Sequence, residues 1–268
     1  MKGLSLQYDL IALDVDGTLL TDDHILTKDI RETVCEAASR GAQIVLCTGR
    51  GPLSALPVME ELGLKGTLIT HNGAATINAD DRSVVHQFDV VPDHLLPFIN
   101  YCRNHSIHFD LNTAFEMMIE TRTPEAEQMY SRFQAKPAIQ DFRLGLPNGL
   151  VKFTAFGTKD KMDQVQAEWA GWPPLLKSIR SGDFFIDVHH AEANKGRALQ
   201  QLADLRGIDR SRILAIGNYY NDITMLQFAG MGIAMGNSPE EVKRAADAVA
   251  RSNSDNGVAA ALREYAWS

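Results

Sequence analysis

Short apolar runs alternate with amphipathic stretches in the first third of the chain. Residues 8–13, 42–47 and 67–70 have the length and composition of buried strands. Between the first two, apolar residues of 28–40 recur at helical spacing, and Gly41 follows as a plausible C-cap. Strands that alternate with helices in this way predict a parallel sheet with helices on both faces.

This alternation changes in the middle of the chain and resumes near residue 196. Three helical patterns (93–104, 124–134 and 158–170) are separated there by strand-like runs, and Ser181-Gly182-Asp183 joins two such runs as a hairpin loop. We therefore predict an α/β fold with two domains. They are a doubly wound, Rossmann-like parallel-sheet core at 1–82 and 188–268, and an α+β cap domain inserted at 83–187.

Polar segments follow the predicted core strands and open one core helix. They are Asp14-Val15-Asp16-Gly17-Thr18, Thr48-Gly49-Arg50, His71-Asn72-Gly73, Asn194-Lys195-Gly196 and Gly217-Asn218-Tyr219-Tyr220-Asn221-Asp222. Any one of them is explained as a turn, since Asp, Asn and Gly favour turns. In open α/β sheets, however, ligands bind beyond the carboxyl ends of the strands, so the five together predict a site.

The most specific segment places two carboxylates two residues apart at the end of the first strand. A carboxylate such as Asp14 can attack phosphorus and form an aspartyl-phosphate, while Asp16 can protonate the leaving oxygen. A calcium loop is excluded because Leu19 and Ile25 stand where its glycine and glutamate are needed. Dinucleotide-binding, P-loop and nucleophile-elbow glycine motifs are absent from the sequence.

Composition narrows the range of partners. The net charge of −8 and the pI of about 5.5 argue against a nucleic-acid backbone as partner, although a local positive site could still bind an anion. The three cysteines show no pairing pattern, which fits a reducing compartment. Residues 1–10 lack the pattern of a signal peptide, and no apolar run has the ~18 residues that cross a bilayer. We expect a cytoplasmic protein, monomeric or weakly dimeric, that binds neither nucleic acid nor membrane.

Four of these segments, in this order, resemble the motifs of haloacid dehalogenase-like hydrolases. They are Asp14-Val15-Asp16-Gly17-Thr18, Thr48-Gly49-Arg50, Lys195-Gly196 and the segment 217–222. Asn72-Gly73-Ala74, the insert of about a hundred residues and the tail Ser252-Asn253-Ser254-Asp255-Asn256-Gly257-Val258 resemble the Cof-type phosphatases with a class II, type B cap. The resemblance covers the whole chain and implies a Mg²⁺-dependent phosphatase acting on a small phosphorylated metabolite, with specificity set by the cap.

The resemblance also implies a role for individual residues. Asp14 is similar to the family's nucleophile, and Asp16 to its general acid and base, whose backbone carbonyl binds magnesium. Lys195 is similar to the lysine that neutralises the nucleophile and the phosphate. Thr48 is also expected to be catalytic. The expected phosphate or substrate contacts are Val15, Thr48, Gly49, Asn72, Lys195 and Asn221. Arg50 either reaches phosphate or caps a helix.

One position departs from the family's pattern. Asn218 stands where a metal-binding aspartate is usual, and its neutral carbonyl oxygen is expected to weaken magnesium binding without preventing it. The expected metal ligands are therefore Asp14, Asp16, Asn218 and Asp222, with Asp222 as a possible compensation. Two alternatives stay open: a phosphomutase that returns the phosphoryl group to a substrate hydroxyl, and a weak or inactive sensor that binds a phosphorylated metabolite.

Overall fold

The computed structural model describes residues 6–132, 135–172 and 175–267 and divides the chain into two compact units. The first unit comprises Met1–His86 and Asn194–Ser268, and the second is the insert Gln87–Ala193. Two predictions fall partly outside the described residues: the helix end at 134 and the character of the first five residues.

Fourteen strands are assigned in the described part of the chain. In order they are β1 (Leu10–Asp14), β2 (Gln43–Cys47), β3 (Thr67–Thr70), β4 (Ala75–Asn78), β5 (Val84–Gln87), β6 (His108–Thr113), β7 (Met117–Ile119), β8 (Ala138–Ile139), β9 (Leu150–Phe156), β10 (Leu176–Gly182), β11 (Phe185–His190), β12 (Ile213–Gly217), β13 (Met231–Ala234) and β14 (Ala248–Val249).

Nine α-helices are assigned in the same ranges. They are α1 (Lys28–Ser39), α2 (Pro52–Leu62), α3 (Pro92–Asn104), α4 (Pro124–Arg132), α5 (Lys159–Trp169), α6 (Lys195–Arg206), α7 (Ile223–Phe228), α8 (Glu240–Arg244) and α9 (Gly257–Tyr265).

The first unit is built on an eight-stranded sheet in the order β14-β13-β12-β1-β2-β3-β4-β5. β1 is parallel to both of its neighbours, β12 and β2, and its apolar residues are fully buried. Leu10 and Ala12 of β1 pack in one cluster with residues of α6 and α7. The strands that follow β1 in the chain lie on one side of it as far as β5, and the later strands β12–β14 lie on the other side. Open α/β sheets bind ligands at the carboxyl ends of strands where the order reverses in this way. The predicted α/β fold is confirmed.

The insert has its own six-stranded sheet in the order β10-β11-β9-β6-β7-β8. One face packs against α3 and α5, where Phe98, Phe153 and Trp169 belong to one apolar core. The other face carries polar side chains, most of them buried, on β11, β9 and β6. They lie on one face because residues paired across strands share a face, as do residues two apart along a strand. Two sets of residues are paired across β6, β9 and β11 on this face. One set is Asp110, Thr154 and Asp187, and the other is Asn112, Lys152 and His189.

The boundaries of the insert differ from the predicted positions 83 and 187. Residues 84–87 form β5 at the edge of the first unit's sheet, because they continue the hairpin that begins with β4. At the other boundary, β11 continues to His190 and pairs with β9 of the insert, so residues 188–190 do not belong to the core. The break in the contacts lies between 193 and 194.

Within the described ranges, no helix is long and apolar enough to cross a membrane.

Candidate active site

A buried lysine joins two carboxylates at the carboxyl end of β1. The Nζ atom of Lys195 donates to Oδ1 of Asp14 at 2.7 Å and to Oδ1 of Asp222 at 2.5 Å. Lys195 is fully buried, and it is the first residue of α6, after the N-cap Asn194. At the next position, Gly196, a Cβ atom would lie 2.3 Å from the carbonyl oxygen of Thr224, so only glycine lets α6 approach this segment.

Burial and charge shift the titration of these groups. Burial raises the pKa of Asp14 to about 7, and the charge of Asp222 adds to the rise while Lys195 opposes it. Burial alone would lower the pKa of Lys195, but the charges of Asp14 and Asp222 raise it above its ordinary value. The single ammonium of Lys195 thus pairs with two buried carboxylates. A further cation near Asp14 would favour its ionised form, which is the nucleophilic one.

Both oxygens of the Asp222 carboxylate accept hydrogen bonds. Its Oδ1 atom binds Lys195, and its Oδ2 atom accepts from the backbone N–H groups of Asn218 and Tyr219 at 2.8 and 2.9 Å. These bonds fix the turn between β12 and α7, and Asp222 is fully buried. The predicted metal role of Asp222 does not fit this geometry, because both oxygens already serve Lys195 and the turn.

Asn218 lies against the other predicted metal ligands. In the amide orientation that satisfies both of its ends, its side-chain nitrogen donates to Oδ2 of Asp14 at 3.0 Å, to the backbone carbonyl oxygen of Asp16 at 3.1 Å and to Oγ1 of Thr18 at 3.2 Å. Two hard oxygen atoms, one a carboxylate and one a carbonyl, therefore converge on the end of this amide. Oxygen donors of this kind suit Mg²⁺, and rotation of the amide would add a third.

The charge of this donor set is low for a magnesium site. Asp14 supplies the one carboxylate oxygen of the set, since Asp16 contributes its backbone carbonyl and Asn218 a neutral amide. Within the described residues, no three His, Cys, Asp or Glu side chains group closely enough to hold a metal ion. The chemistry of the oxygen atoms fits magnesium, and their charge predicts weak binding.

A second polar cluster contains most of the expected phosphate contacts. The side-chain nitrogen of Asn221 donates to Oδ1 of Asn72 at 2.9 Å. A Cβ atom at Gly49 would lie 3.0 Å from the same Oδ1 atom, so Gly49 leaves room for this amide. Thr48 is buried and its hydroxyl accepts from the backbone N–H of Arg50 at 3.1 Å. Val15 is buried beside Asp14, and its carbonyl accepts from the N–H of Leu20 at 3.0 Å.

The turn that carries Asn72 has an unusual backbone. His71, Asn72 and Gly73 all have positive φ angles, of 50°, 58° and 98°. Such conformations cost about 1–3 kcal/mol for residues other than glycine and are concentrated at functional sites. At Gly73, a Cβ atom would lie 2.3 Å from the backbone of Asn194, so the turn packs directly on the start of the helix that carries Lys195.

Asp16 is paired with Arg50, which the sequence left undecided between a phosphate contact and a helix cap. The Nε and Nη2 atoms of Arg50 lie 2.8 and 2.5 Å from the two carboxylate oxygens of Asp16. The imidazole Nδ1 of His24 lies 3.5 Å from the same carboxylate. Sequence reasoning missed both contacts, because no local pattern pairs Asp16 with Arg50, which is 34 residues away, or with His24 in the loop after β1.

The tail segment 252–258 holds the loop that follows β1. Asn253 is fully buried, and its side chain donates to the carbonyl of Leu20 at 3.0 Å and to the carboxylate of Asp22 at 2.9 Å. Asn237 donates to the carbonyl of Gly17 at 2.9 Å and accepts from the N–H of Asn253 at 3.1 Å. These asparagines fix the loop in which Asp16 lies, a task that sequence reasoning did not assign to them.

The sequence and the fold place this chain in a hydrolase family. The chain belongs to the haloacid dehalogenase-like hydrolases, whose family model matches residues 11–262. It is 31% identical over 280 residues to YxeH of Bacillus subtilis (strain 168), a provisionally named phosphatase, with 96% of this chain and 98% of that protein covered. It is 28% identical to 5-amino-6-(5-phospho-D-ribitylamino)uracil phosphatase YcsE of the same organism, with 96% and 95% covered.

Solved structures give the same assignment. A haloacid dehalogenase-like hydrolase from Bacteroides thetaiotaomicron has a TM-score of 0.86 and 28% identity, with 96% of this chain and 99% of that one covered. A protein described as a subclass IIB sugar phosphatase has a TM-score of 0.81 at 22% identity, with 96% and 98% covered, and this likeness concerns the fold. The predicted membership of the haloacid dehalogenase-like hydrolases is confirmed, and the names of the relatives agree with a phosphatase.

Proposed function

We propose that this chain is a Mg²⁺-dependent phosphatase that hydrolyses a small phosphorylated metabolite through an aspartyl-phosphate on Asp14. The observation that carries the proposal is the buried contact of 2.7 Å between Lys195 and Asp14 at the end of the central strand. A lysine placed there holds positive charge where a carboxylate and an anionic phosphate must meet. Phosphoryl transfer is catalysed mainly by such positioning and charge stabilisation.

The proposed reaction has two steps: transfer of the phosphoryl group to Asp14, and its hydrolysis by water. In the first, an oxygen of Asp14 bonds to phosphorus, the ester P–O bond breaks, and Asp16 gives its proton to the leaving oxygen. In the second, a water molecule bonds to phosphorus, its proton passes to Asp16, and the bond between phosphorus and Asp14 breaks. Thr48, Gly49, Asn72 and Asn221 would orient the phosphoryl oxygens.

The proposed magnesium site uses the carboxylate of Asp14, the carbonyl of Asp16 and the amide oxygen of Asn218. When bound, magnesium supplies positive charge beside the phosphoryl oxygens and favours ionised Asp14. Because burial raises the pKa of Asp14 to about 7, a proton competes with the metal below that pH. Apparent magnesium affinity should therefore rise as the pH rises through about 7.

The substrate is proposed to be a sugar phosphate or a phosphorylated cofactor precursor. One relative, YcsE, is named for a phosphorylated ribitylaminouracil, which has a polyol chain and a heterocycle. One face of the insert's sheet carries polar side chains of the kinds that bind hydroxyls, among them Asn112, Lys152 and Asp187. We assign the choice of substrate to this face.

The proposal is tested by measuring phosphate release over a panel of phosphorylated metabolites with and without Mg²⁺. We expect turnover of at least one sugar phosphate or cofactor precursor that depends on the metal. Stoichiometric release of inorganic phosphate separates a phosphatase from a phosphomutase, which returns the group to its substrate. Saturable binding of one metabolite without turnover of any would contradict the proposal and favour a sensor, the function that Asn218 would suit.

Replacing Asn218 by aspartate should strengthen magnesium binding. Asn218→Asp adds a charge within reach of Asp14 and the carbonyl of Asp16, so we expect half-saturating magnesium to fall about tenfold, or about 1.4 kcal/mol. The measurement is a magnesium titration of the initial rate, with calorimetric binding of the metal as a second readout. Gln43→Glu is a matched control, because it adds the same charge at the opposite end of the sheet. An unchanged half-saturation in Asn218→Asp would remove this residue from the metal site.

Changing the polar face of the insert should reorder the substrates without affecting a generic one. Lys152→Met removes a largely buried ammonium 3.8 Å from Asp187. We expect relative kcat/KM values across the panel to shift by about tenfold, or about 1.4 kcal/mol. The rate with p-nitrophenyl phosphate should stay within about twofold, since its leaving group offers no hydroxyls. Lys161→Met on α5, which packs against the opposite face, is the control. The same ranking in wild type and Lys152→Met would exclude this face from substrate choice.

A further inference from the structure

The guanidinium of Arg50 forms a hydrogen bond with each oxygen of the Asp16 carboxylate. Nε donates to Oδ2 at 2.8 Å and Nη2 to Oδ1 at 2.5 Å, while Nη1 donates to the carbonyl of Ser54 at 3.1 Å. A planar guanidinium that binds two oxygens at once fixes the plane of the carboxylate as well as its position. Asp16 keeps 43% of its side chain exposed, so this pair rather than close packing orients it.

Arg50 is itself held in place by the turn in which it lies. Its backbone N–H donates to the hydroxyl of Thr48 at 3.1 Å, and its carbonyl accepts from the N–H of His71 at 2.9 Å. The bond to Ser54 ties the guanidinium to the first turn of α2. The side chain that orients Asp16 is thus anchored to the segments that carry Thr48 and Asn72.

We infer that Arg50 is a positioning residue that aims Asp16 for proton transfer in both steps of the proposed reaction. The inference rests on the proposed function, since it assigns Asp16 as general acid and base. In the second step, both oxygens can keep their contacts with Arg50 until one of them takes the proton of water. For the first step, one oxygen must carry a proton, and the second oxygen can keep its bond to Arg50 while the protonated one faces the leaving group.

This role predicts a loss that depends on the leaving group. A poor leaving group, such as the alkoxide of a sugar phosphate, needs the proton of Asp16 before the ester bond breaks, whereas p-nitrophenolate does not. The quantity kcat/KM reports the first irreversible step, which is transfer of the phosphoryl group to Asp14. Misplacing Asp16 should therefore lower kcat/KM for alkyl phosphates and leave it nearly unchanged for p-nitrophenyl phosphate.

A direct contact between Arg50 and phosphate would give a different pattern. Alkyl and aryl esters carry the same phosphoryl group, so losing a phosphate contact would lower kcat/KM for both by a similar factor. Loss of a purely structural contact would likewise affect both substrates and would lower the melting temperature. The ratio of the two kcat/KM values thus separates positioning of Asp16 from the other roles.

The test measures kcat/KM for an alkyl phosphate that the wild type hydrolyses and for p-nitrophenyl phosphate. In Arg50→Met we expect a loss of about 30-fold or more for the alkyl ester and about threefold or less for the aryl ester, within the range that general acid catalysis supplies. The same substitution in an Asp16→Asn background should add less than about twofold, because residues that act through one another are not additive. Arg50→Lys keeps the charge without the two-pronged geometry and should recover the alkyl rate only in part.

Arg212→Met is the matched control. Arg212 binds the carboxylate of Asp9 through Nε and Nη2 at 3.1 and 2.6 Å, just before β1, at the opposite end of the strand from Asp14. It should leave both kcat/KM values unchanged.

Equal losses for the two esters in Arg50→Met, or full additivity with Asp16→Asn, would overturn the inference while the wild type remains an active phosphatase. Absence of turnover by the wild type with every ester would instead refute the proposed function, so the two failures are distinguishable.

Discussion

Asp14→Asn should abolish turnover of every phosphate ester while the protein still folds. An amide is a far weaker nucleophile than a carboxylate of nearly the same shape, so the rate should fall by more than about a thousandfold, or about 4 kcal/mol of transition-state stabilisation. The measurement is kcat/KM with p-nitrophenyl phosphate and with the best metabolite found. A variant that retains more than about one per cent of the wild-type rate would show that Asp14 is not the nucleophile.

The stability of this variant gives an independent control. Burial raises the pKa of Asp14 to about 7, so the folded wild type holds a proton that the unfolded chain has lost between about pH 4 and pH 7. The wild type without metal therefore loses stability as the pH rises through this window, and Asp14→Asn lacks that loss. The melting temperature of the variant relative to the wild type should be higher at pH 8 than at pH 5. The opposite trend would mean that the pKa of Asp14 is not raised.

Lys195→Met should damage both activity and stability. The substitution leaves Asp14 and Asp222 buried without their shared cation, which costs about 3–5 kcal/mol when one partner of a buried pair is removed. We expect kcat/KM to fall by about 10²–10³-fold, because the charge that stabilises the transferring phosphoryl group is lost. Urea unfolding at pH 8 and phosphate release measure the two effects.

The pH dependence and a surface lysine provide the controls for Lys195→Met. The raised pKa of Lys195 means that its stabilising contribution is complete throughout the neutral range. The destabilisation should become smaller at pH 5, where protonation of Asp14 removes one of the two unpaired charges. Lys243→Met breaks an exposed pair with Glu240 and should cost about 0–1 kcal/mol. Equal losses in the two variants would mean that the buried contact contributes little.

The parts of this molecule that sequence analysis could predict are local. Buried strands such as β1 are marked by apolar runs, and the segment beginning at Asp14 directly follows one. The fold class follows from the alternation of such strands with helices. The positions of Asp14, Thr48 and Asn72 beyond their strands follow from the carboxyl ends of parallel strands lying at one edge of a sheet, whereas Lys195 begins a helix.

The features that sequence analysis missed depend on contacts between distant residues. Arg50 and Asp16 pair across two segments, and no spacing along the chain indicates that contact. Asp222 was predicted to compensate for Asn218 at the metal, whereas its oxygens bind Lys195 and two backbone N–H groups. The insert boundary was misplaced because β5 pairs with a neighbouring strand of the core sheet. Strands of two residues, such as β14, are too short for any pattern.

Detection of a phosphoryl group on Asp14 tests the central claim most directly. Asp16→Asn should slow hydrolysis of the aspartyl-phosphate more than its formation from p-nitrophenyl phosphate, so the covalent species should accumulate within the first turnover. The reaction is quenched in acid, digested and examined by mass spectrometry. We predict one added phosphoryl group on the peptide that contains Asp14, and none in Asp14→Asn. Release of p-nitrophenol in a single turnover with no phosphorylated peptide, or with the group on another residue, would contradict the account.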